Sequence, residues 1–310
     1  MRLRIGHLST FYHTAIILMA DEKLQKDLGV DVQWRLFGTG PSIVDAFEKG
    51  ELDIAYCGLP PVIIGIDRGV RIKCIAGGHM EGTVICGKNR YRGFPETEDL
   101  GEILAQFRGG SIGVPGKGSI HDVILSDYLR RFNLEGEVTV VNFQWSDQLT
   151  EAVVHDEVSA AFGTPALAAA IIHYAKGRVL YPPSLLWPDN PSYGIIADSK
   201  FLERSEDILG RFLLQHEIAA SLLRDRQGEA AGIISRFVGF VEKELVLTAL
   251  KISPKYCAKL TSGYIAATMA FVRAMLSMGY IRREISMHEI FDTSLIDKIH
   301  PEEDHYTAGG

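Results

Sequence analysis

Three short stretches carry small hydroxylated or glycine residues just ahead of apolar-periodic segments: Thr39-Gly-Pro-Ser42, Gly58-Leu-Pro-Pro61 and Gly116-Lys-Gly-Ser119. Residues of these types open helices, and the first turn of a helix presents unpaired backbone N–H groups to an anion. Thr39, Gly40 and Ser42 are therefore expected to donate hydrogen bonds to an oxyanion, with plain helix capping as the competing role. Gly58 and Pro60 suit a backbone that lets a ligand approach closely. Gly118 and Ser119 read as a second anion-donating turn, and Lys117 as a solvated charge. The spacing here fails the Walker pattern, which excludes a nucleotide P-loop. Ser9, Thr10 and His13 follow the first apolar alternation and offer hydroxyl and imidazole donors, or ordinary capping of the first helix. Phe162 and Thr164, with Pro165, occupy a position in the second half equivalent to Tyr56–Pro60; Phe162 also suits a core. Tyr193 sits where the chain is expected to return to its first half, either closing over ligand or packing a hinge.

No catalytic constellation accompanies these residues. The Gly-x-Ser-x-Gly and His-Glu-x-x-His patterns are absent, and His121 and Asp122, adjacent on a helix, point to different faces. The four cysteines, at 57, 74, 86 and 257, show no metal-ligand spacing and read as buried thiols of a reducing compartment. No cofactor and no metal is expected.

The elements that must hold these turns alternate. Leu3–Leu8 is a strand, Thr14–Leu28 a helix ending at Gly29, and Val30–Phe37 a strand. A helix over Ile43–Phe47, a strand over Leu52–Tyr56, a helix from about Pro61 to Asp67 and a strand over Ile72–Ala76 complete an α/β unit. After a polar crossover at Lys88–Thr97 a second such unit follows, with helices near Leu100–Phe107, from Ser119 to Asn133 and near Asp147–Val154. Strands are expected at Ser111–Val114, Val138–Phe143 and Val158–Phe162, a Pro-rich loop over Tyr181–Pro191 and a returning strand at Tyr193–Ala197. From Phe201 the pattern is helical, broken at Gly228, Gly239 and Pro254, with a frayed tail over Pro301–Gly310. Phe37…Ala46-Phe47…Asp53-Ile-Ala-Tyr56 matches Phe143…Ala152-Val153…Ser159-Ala-Ala-Phe162, a weak internal repeat of two similar units.

Length and composition agree with two lobes. The chain has 310 residues, 46% hydrophobic and 23% charged, the balance of a globular protein. A net charge of −7 argues against nucleic acid as a partner, so an anion would need local donors. No run is long enough to span a membrane. Arg2 and Arg4 could begin an export signal, but His7, Ser9, Thr10 and His13 interrupt any apolar region. The first residues are thus expected to be a strand of the mature fold, in the cytoplasm or, with a signal already removed, outside it.

Gly40-Pro-Ser-Ile-Val-Asp-Ala-Phe-Glu-Lys-Gly-Glu-Leu-Asp-Ile-Ala, followed by Gly58-Leu-Pro-Pro and Asp67-Arg-Gly69, resembles the periplasmic solute-binding proteins of ABC importers. The similar branch is the one handling nitrate, sulfonates and thiamine precursors; Gly113–Ser119 and Ser277–Ile281 match it too. His13-Thr14 is similar to the Asn-His-Thr-Gly turn of the thiamine-precursor binders, with Tyr12 and Ala15 in place of its Asn and Gly. The resemblance implies a two-lobe, type II periplasmic-binding-protein-like α/β fold in which each lobe is an open mixed sheet flanked by helices. Lobe 1 is expected from 1–85 and 195–300, and lobe 2 from 86–194. It implies a monomer that closes its cleft on a small polar or anionic solute and delivers it to a permease and ATPase. The competing reading is a cytoplasmic enzyme or ligand sensor on the same fold, in thiamine-pyrimidine or menaquinone synthesis, with His13 and His121 as first bases. The Cys-rich motif of yeast-type pyrimidine synthases is missing.

Overall fold

Strand β1 (Arg2–Leu8) alternates its side chains, Leu3 and Ile5 burying fully, and pairs in parallel with β2 (Asp31–Phe37) and β3 (Ile54–Cys57). The computed structural model describes residues 2–302 and residue 305. Between β1 and β2 the expected single helix is two, α1 (Thr14–Met19) and α2 (Leu24–Leu28). Asp21 breaks it by accepting the Lys23 N–H at 2.9 Å, the competition an Asp side chain offers a helical backbone. Helix α3 (Gly40–Glu48) joins β2 to β3, and α4 (Leu59–Asp67) leads to β4 (Ile72–Met80).

The second sheet repeats the plan. It holds β5 (Val84–Lys88), β6 (Ser111–Pro115), β7 (Thr139–Phe143), β8 (Ala160–Gly163) and β9 (Gly177–Tyr181). Its helices are α5 (Leu100–Ala105), α6 (Ile120–Arg131), α7 (Ser146–Val154) and α8 (Pro165–Tyr174). The chain then returns as β10 (Pro191–Asp198) to the first sheet. Strand orders are β2-β1-β3-β10-β4 and β7-β6-β8-β5-β9, so each sheet has three adjacent parallel strands, a fourth running antiparallel beside them and a fifth antiparallel to that one. The internal repeat is real at this level: β2-α3-β3-α4 and β7-α7-β8-α8 are the same run of elements.

Two connections link the sheets, residues 81–83 and 182–190. Glu81 holds a left-handed backbone (φ 57°) there, buries its carboxylate and pairs it with Lys255 Nζ at 2.8 Å. The remaining helices are α9 (Ser199–Arg204), α10 (Glu206–Asp225), α11 (Gln227–Val238), α12 (Lys243–Ile252), α13 (Ser262–Ser277), α14 (Met287–Ile290) and α15 (Ile296–Ile299). They pack mainly on the first sheet but reach the second, Leu245 and Ala249 of α12 burying against Ala169 of α8. Tyr280 reaches across as well, its OH donating to Asp122 Oδ2 at 2.8 Å. No described helix is long and apolar enough to cross a membrane.

Asp53, the acidic residue of the helix-to-strand join, is structural. It accepts the Arg4 backbone N–H at 2.8 Å and a two-pronged guanidinium contact at 2.7 and 3.1 Å, tying β3 to β1.

Candidate functional site

The carboxyl ends of the parallel strands of both sheets face one another, and helix N-termini converge there. Thr39 is the N-cap of α3, Gly58 of α4, Ser119 of α6 and Thr164 of α8. The resulting cleft holds about 40 Å³, room for a few waters or a compact polar group. Loop residues after β1 (Ser9, Thr10, Tyr12 and His13) form one wall, and the start of α6 (Ser119, Ile120 and His121) faces them. Ser192 of β10 joins them at the connection between the sheets.

The lobes meet through glycines at the cleft rim. A Cβ on Gly38 would lie 2.6 Å from the Gln144 carbonyl oxygen and 3.2 Å from the Trp145 ring. One on Gly116 (φ 25°) would lie 2.8 Å from Thr39 Cγ2. Only a residue without a side chain allows so close an approach.

Two polar atoms in this wall lack partners. Thr10 Oγ1 and His13 Nδ1 are buried and make no hydrogen bond, although an unsatisfied buried donor or acceptor costs about 1–3 kcal/mol. The His13 ring is fixed from behind by Tyr193, ring centres 4.0 Å apart, and by Tyr12 at 4.6 Å. Tyr193 in turn accepts the Thr14 N–H at 3.2 Å, and Thr14 Oγ1 meets His216 Nδ1 at 2.8 Å.

The cleft is electrically neutral. No lysine, arginine, aspartate or glutamate is among its described lining residues. Burial, then the neighbouring His79, His7 and His216, hold the His13 imidazole well below its usual range, so it is uncharged at neutral pH. Burial pushes His121 down to about 3, and its Nδ1 meets Thr83 Oγ1 at 3.2 Å. Asp122 points away, accepting the Gly118 N–H at 2.8 Å and the Tyr280 OH, so no His–Asp dyad forms. What the site offers is neutral donors: hydroxyls, an imidazole and the positive ends of four helices, whose first-turn N–H groups are interrupted by Pro41 in α3, Pro60 and Pro61 in α4 and Pro165 in α8.

Of the residues singled out in the sequence, Ser9, Thr10, His13, Thr39, Gly40, Gly58, Ser119 and Thr164 line this cleft together. Five others are placed differently. Ser42 turns back into its own helix start, its Oγ donating to Thr39 O at 2.7 Å. Pro60 is buried in α4, and Pro61 takes the wall position. Gly118 gives its N–H to Asp122, Phe162 is a fully buried core residue, and Tyr193 supports His13 from below. Ser119 Oγ is spent as a cap, accepting from Asp122 N at 3.2 Å and donating to Pro115 O at 2.5 Å, while Thr164 Oγ1 caps α8 by accepting from Leu167 N at 3.1 Å. Tyr12, Gly38, Ile120 and Ser192 join the lining without having been expected, as does His121, suspected only as a base.

Beside the cleft, sharing Leu8, Ser9, Thr10 and Thr164 with it, lies a larger chamber of about 460 Å³. Its wall is mostly apolar, with Phe11, Ile16, Leu167, Val241 and Leu245, and Leu36, Tyr174 and Phe240 exposed at its edge; His7, Thr150 and Glu151 also line it.

Comparison with known proteins bears on this arrangement. The model of the NMT1-like family matches residues 1–237. The chain is similar to a curated binding protein of Brucella abortus, 25% identical over 241 residues, 76% of this chain and 71% of that one. Its fold is similar to that of the periplasmic aliphatic sulphonate binding protein SsuA of Escherichia coli, with a TM-score of 0.76 at 16% identity over 94% of this chain and 92% of that one. It is similar also to the periplasmic nitrate-binding protein NrtA of Synechocystis, with a TM-score of 0.74 at 14% identity over 97% and 88%. The two-lobe fold expected from the sequence is the fold these proteins share.

Proposed function

The chain belongs to the NMT1-like family, and from that premise we propose that it is a solute-binding protein of the ABC-importer type, taking a small polar or anionic head group in its cleft. The observation carrying this reading is the pair of orphaned atoms, Thr10 Oγ1 and His13 Nδ1, set among helix N-termini from both lobes. A ligand oxygen supplies the missing partner. With no cation in the lining, a weakly basic anion such as a sulfonate suits the site better than a phosphate carrying two charges, whose desolvation uncharged donors would not offset. The adjoining, mostly apolar chamber suits an alkyl or aryl body on that head group.

The lobes carry the first and second sheets and swing about 81–83 and 182–190, closing through the Gly38–Gln144 and Gly116–Thr39 contacts. The protein acts without chemical turnover: His13 has no carboxylate partner among the described residues, and His121 is committed to Thr83. A permease and an ATPase receive the solute, and the binding protein works outside the cytoplasm, as its sulfonate- and nitrate-binding neighbours do in the periplasm.

A thermal-shift panel of taurine, hexanesulfonate, nitrate, methylphosphonate and inorganic phosphate tests this. A true ligand at a hundred times its dissociation constant adds about 2.7 kcal/mol, and the ligand recovered is unchanged. No shift with either sulfonate or with nitrate, or a chemically altered ligand, would overturn the reading.

A further inference from the structure

Outside the cleft lining, three ligating side chains converge beside β4. Cys257 lies in a segment paired to β4, its N–H donating to Gly78 O at 3.2 Å. His300 ends α15, and His305 follows from the tail. Cys257 Sγ is 3.4 Å from His300 Nε2 and 3.6 Å from His305 Nδ1, and the two ring nitrogens are 3.3 Å apart. A tetrahedral Zn²⁺ with Zn–N of about 2.05 Å and Zn–S of about 2.3 Å requires N···N edges of about 3.35 Å and N···S edges of about 3.55 Å. The observed triangle has those edges.

The surroundings fit as well. Cys257 and His300 are buried, and His305 is half-buried. Glu217 of α10 brings Oε1 to 3.8 Å from His305 Nδ1 and 4.0 Å from His300 Nε2, next to the fourth position. Glu302 stands 3.5 Å from the other nitrogen of His300, where a carboxylate orients a ligating imidazole. Arg224 balances Glu217 at 3.8 Å. His300 and His305 are separated by four residues, inside the His spacing of zinc sites; the cysteine comes from 43 residues upstream of His300, which is why the sequence reading found no metal set.

We infer that Cys257, His300 and His305 bind one Zn²⁺, with Glu217 at the fourth position, and that the metal staples the C-terminal tail to α10 and to the edge of β4. Burial pushes the Cys257 thiol up and the His305 imidazole down. Zinc holds cysteine as its thiolate, so the thiol proton leaves as the metal enters. Within the tail expected to fray over 301–310, His305 packs its ring 4.7 Å from that of His300, while residues 303, 304 and 306–310 lie outside the described set.

The test uses the full chain stripped with a chelator and titrated with Zn²⁺, then with Co²⁺. The site predicts one tight equivalent per chain, a higher melting temperature with zinc, and a thiolate-to-cobalt charge-transfer band with tetrahedral visible bands. His305→Ala, a tail substitution that leaves the core intact, removes a ligand and should weaken Zn²⁺ binding by more than the roughly 10-fold that even loss of an outer-shell partner costs. Cys257→Ser should abolish the charge-transfer band. Wild-type protein that takes up no tight equivalent overturns the inference, as does binding unchanged in His305→Ala or a cobalt adduct without the thiolate band. Sulfonate or nitrate binding in the cleft is scored separately, so either reading can fail alone.

Discussion

Gly38→Ala is the sharpest perturbation of cleft closure. The added methyl would stand 2.6 Å from the backbone oxygen of Gln144 and 3.2 Å from two ring atoms of Trp145. A carbon needs about 3.3 Å from a carbonyl oxygen, so the lobes must back away by about 0.7 Å. The oxygen belongs to the main chain and has no rotamer to escape into. Overpacking of this kind costs about 1–3 kcal/mol, and here the cost falls on the closed state alone. Ligand affinity, which depends on the closed state, should drop roughly 5- to 150-fold. The ligand-free protein, able to open, should melt as wild type does. Calorimetric titration with taurine, hexanesulfonate and nitrate measures the first effect, and small-angle scattering should show the variant staying open where ligand compacts the wild type. Affinity equal to wild type would refute the claim that binding brings Gly38 onto Gln144.

Gly210→Ala is the matched control: inside α10, with nothing within 4 Å of the new methyl, it should stabilise by about 1 kcal/mol and leave ligand affinity alone; a lowered urea midpoint would contradict this. Acid should destabilise the fold early. Burial holds His79 at about 4 and His121 at about 3, below the roughly 6.5 of an unfolded histidine, so the unfolded chain takes up protons first. Their stabilising contribution is complete above about pH 6.5 and falls by about 1.4 kcal/mol per pH unit for each as pH drops toward those values. Urea unfolding between pH 7 and 5 measures the slope, and a flat profile would show that these imidazoles are not buried neutral.

How far the site was legible follows from the geometry of helix starts. Thr39 and Ser119 were readable because an N-cap sits where strand becomes helix, at the cleft. Ser42, three residues on, belongs to the same motif, and its hydroxyl folds back onto the Thr39 carbonyl. The choice between Pro60 and Pro61 depends on helix phase, which a Pro-Pro pair does not reveal. Phe162 met the core instead of the cleft because β8 is the middle strand of its sheet, with all four of its residues buried. Ser192 was invisible for another reason: it reaches the site on the returning β10, far along the chain from the turns it joins. His121 was dismissed as a partner for Asp122, correctly, and its place in the wall was lost with that dismissal. The fold was easier, since each βα unit announces itself by its own period and the repeat β2-α3-β3-α4 against β7-α7-β8-α8 survives in sequence. The break in the first helix at Asp21 was missed because a side-chain bond to its own backbone competes with helix locally, without altering the apolar spacing.

The central claim is that an oxyanion completes the unpartnered groups of the β1 loop. Titration of wild type and Thr10→Val with hexanesulfonate and nitrate tests it most directly, since valine keeps the shape and removes only the hydroxyl. Removing the orphan oxygen should relieve the empty protein, raising its stability by up to about 1–3 kcal/mol, while binding weakens by roughly 5- to 150-fold. Binding as tight in Thr10→Val as in wild type, with no gain in stability, would contradict it.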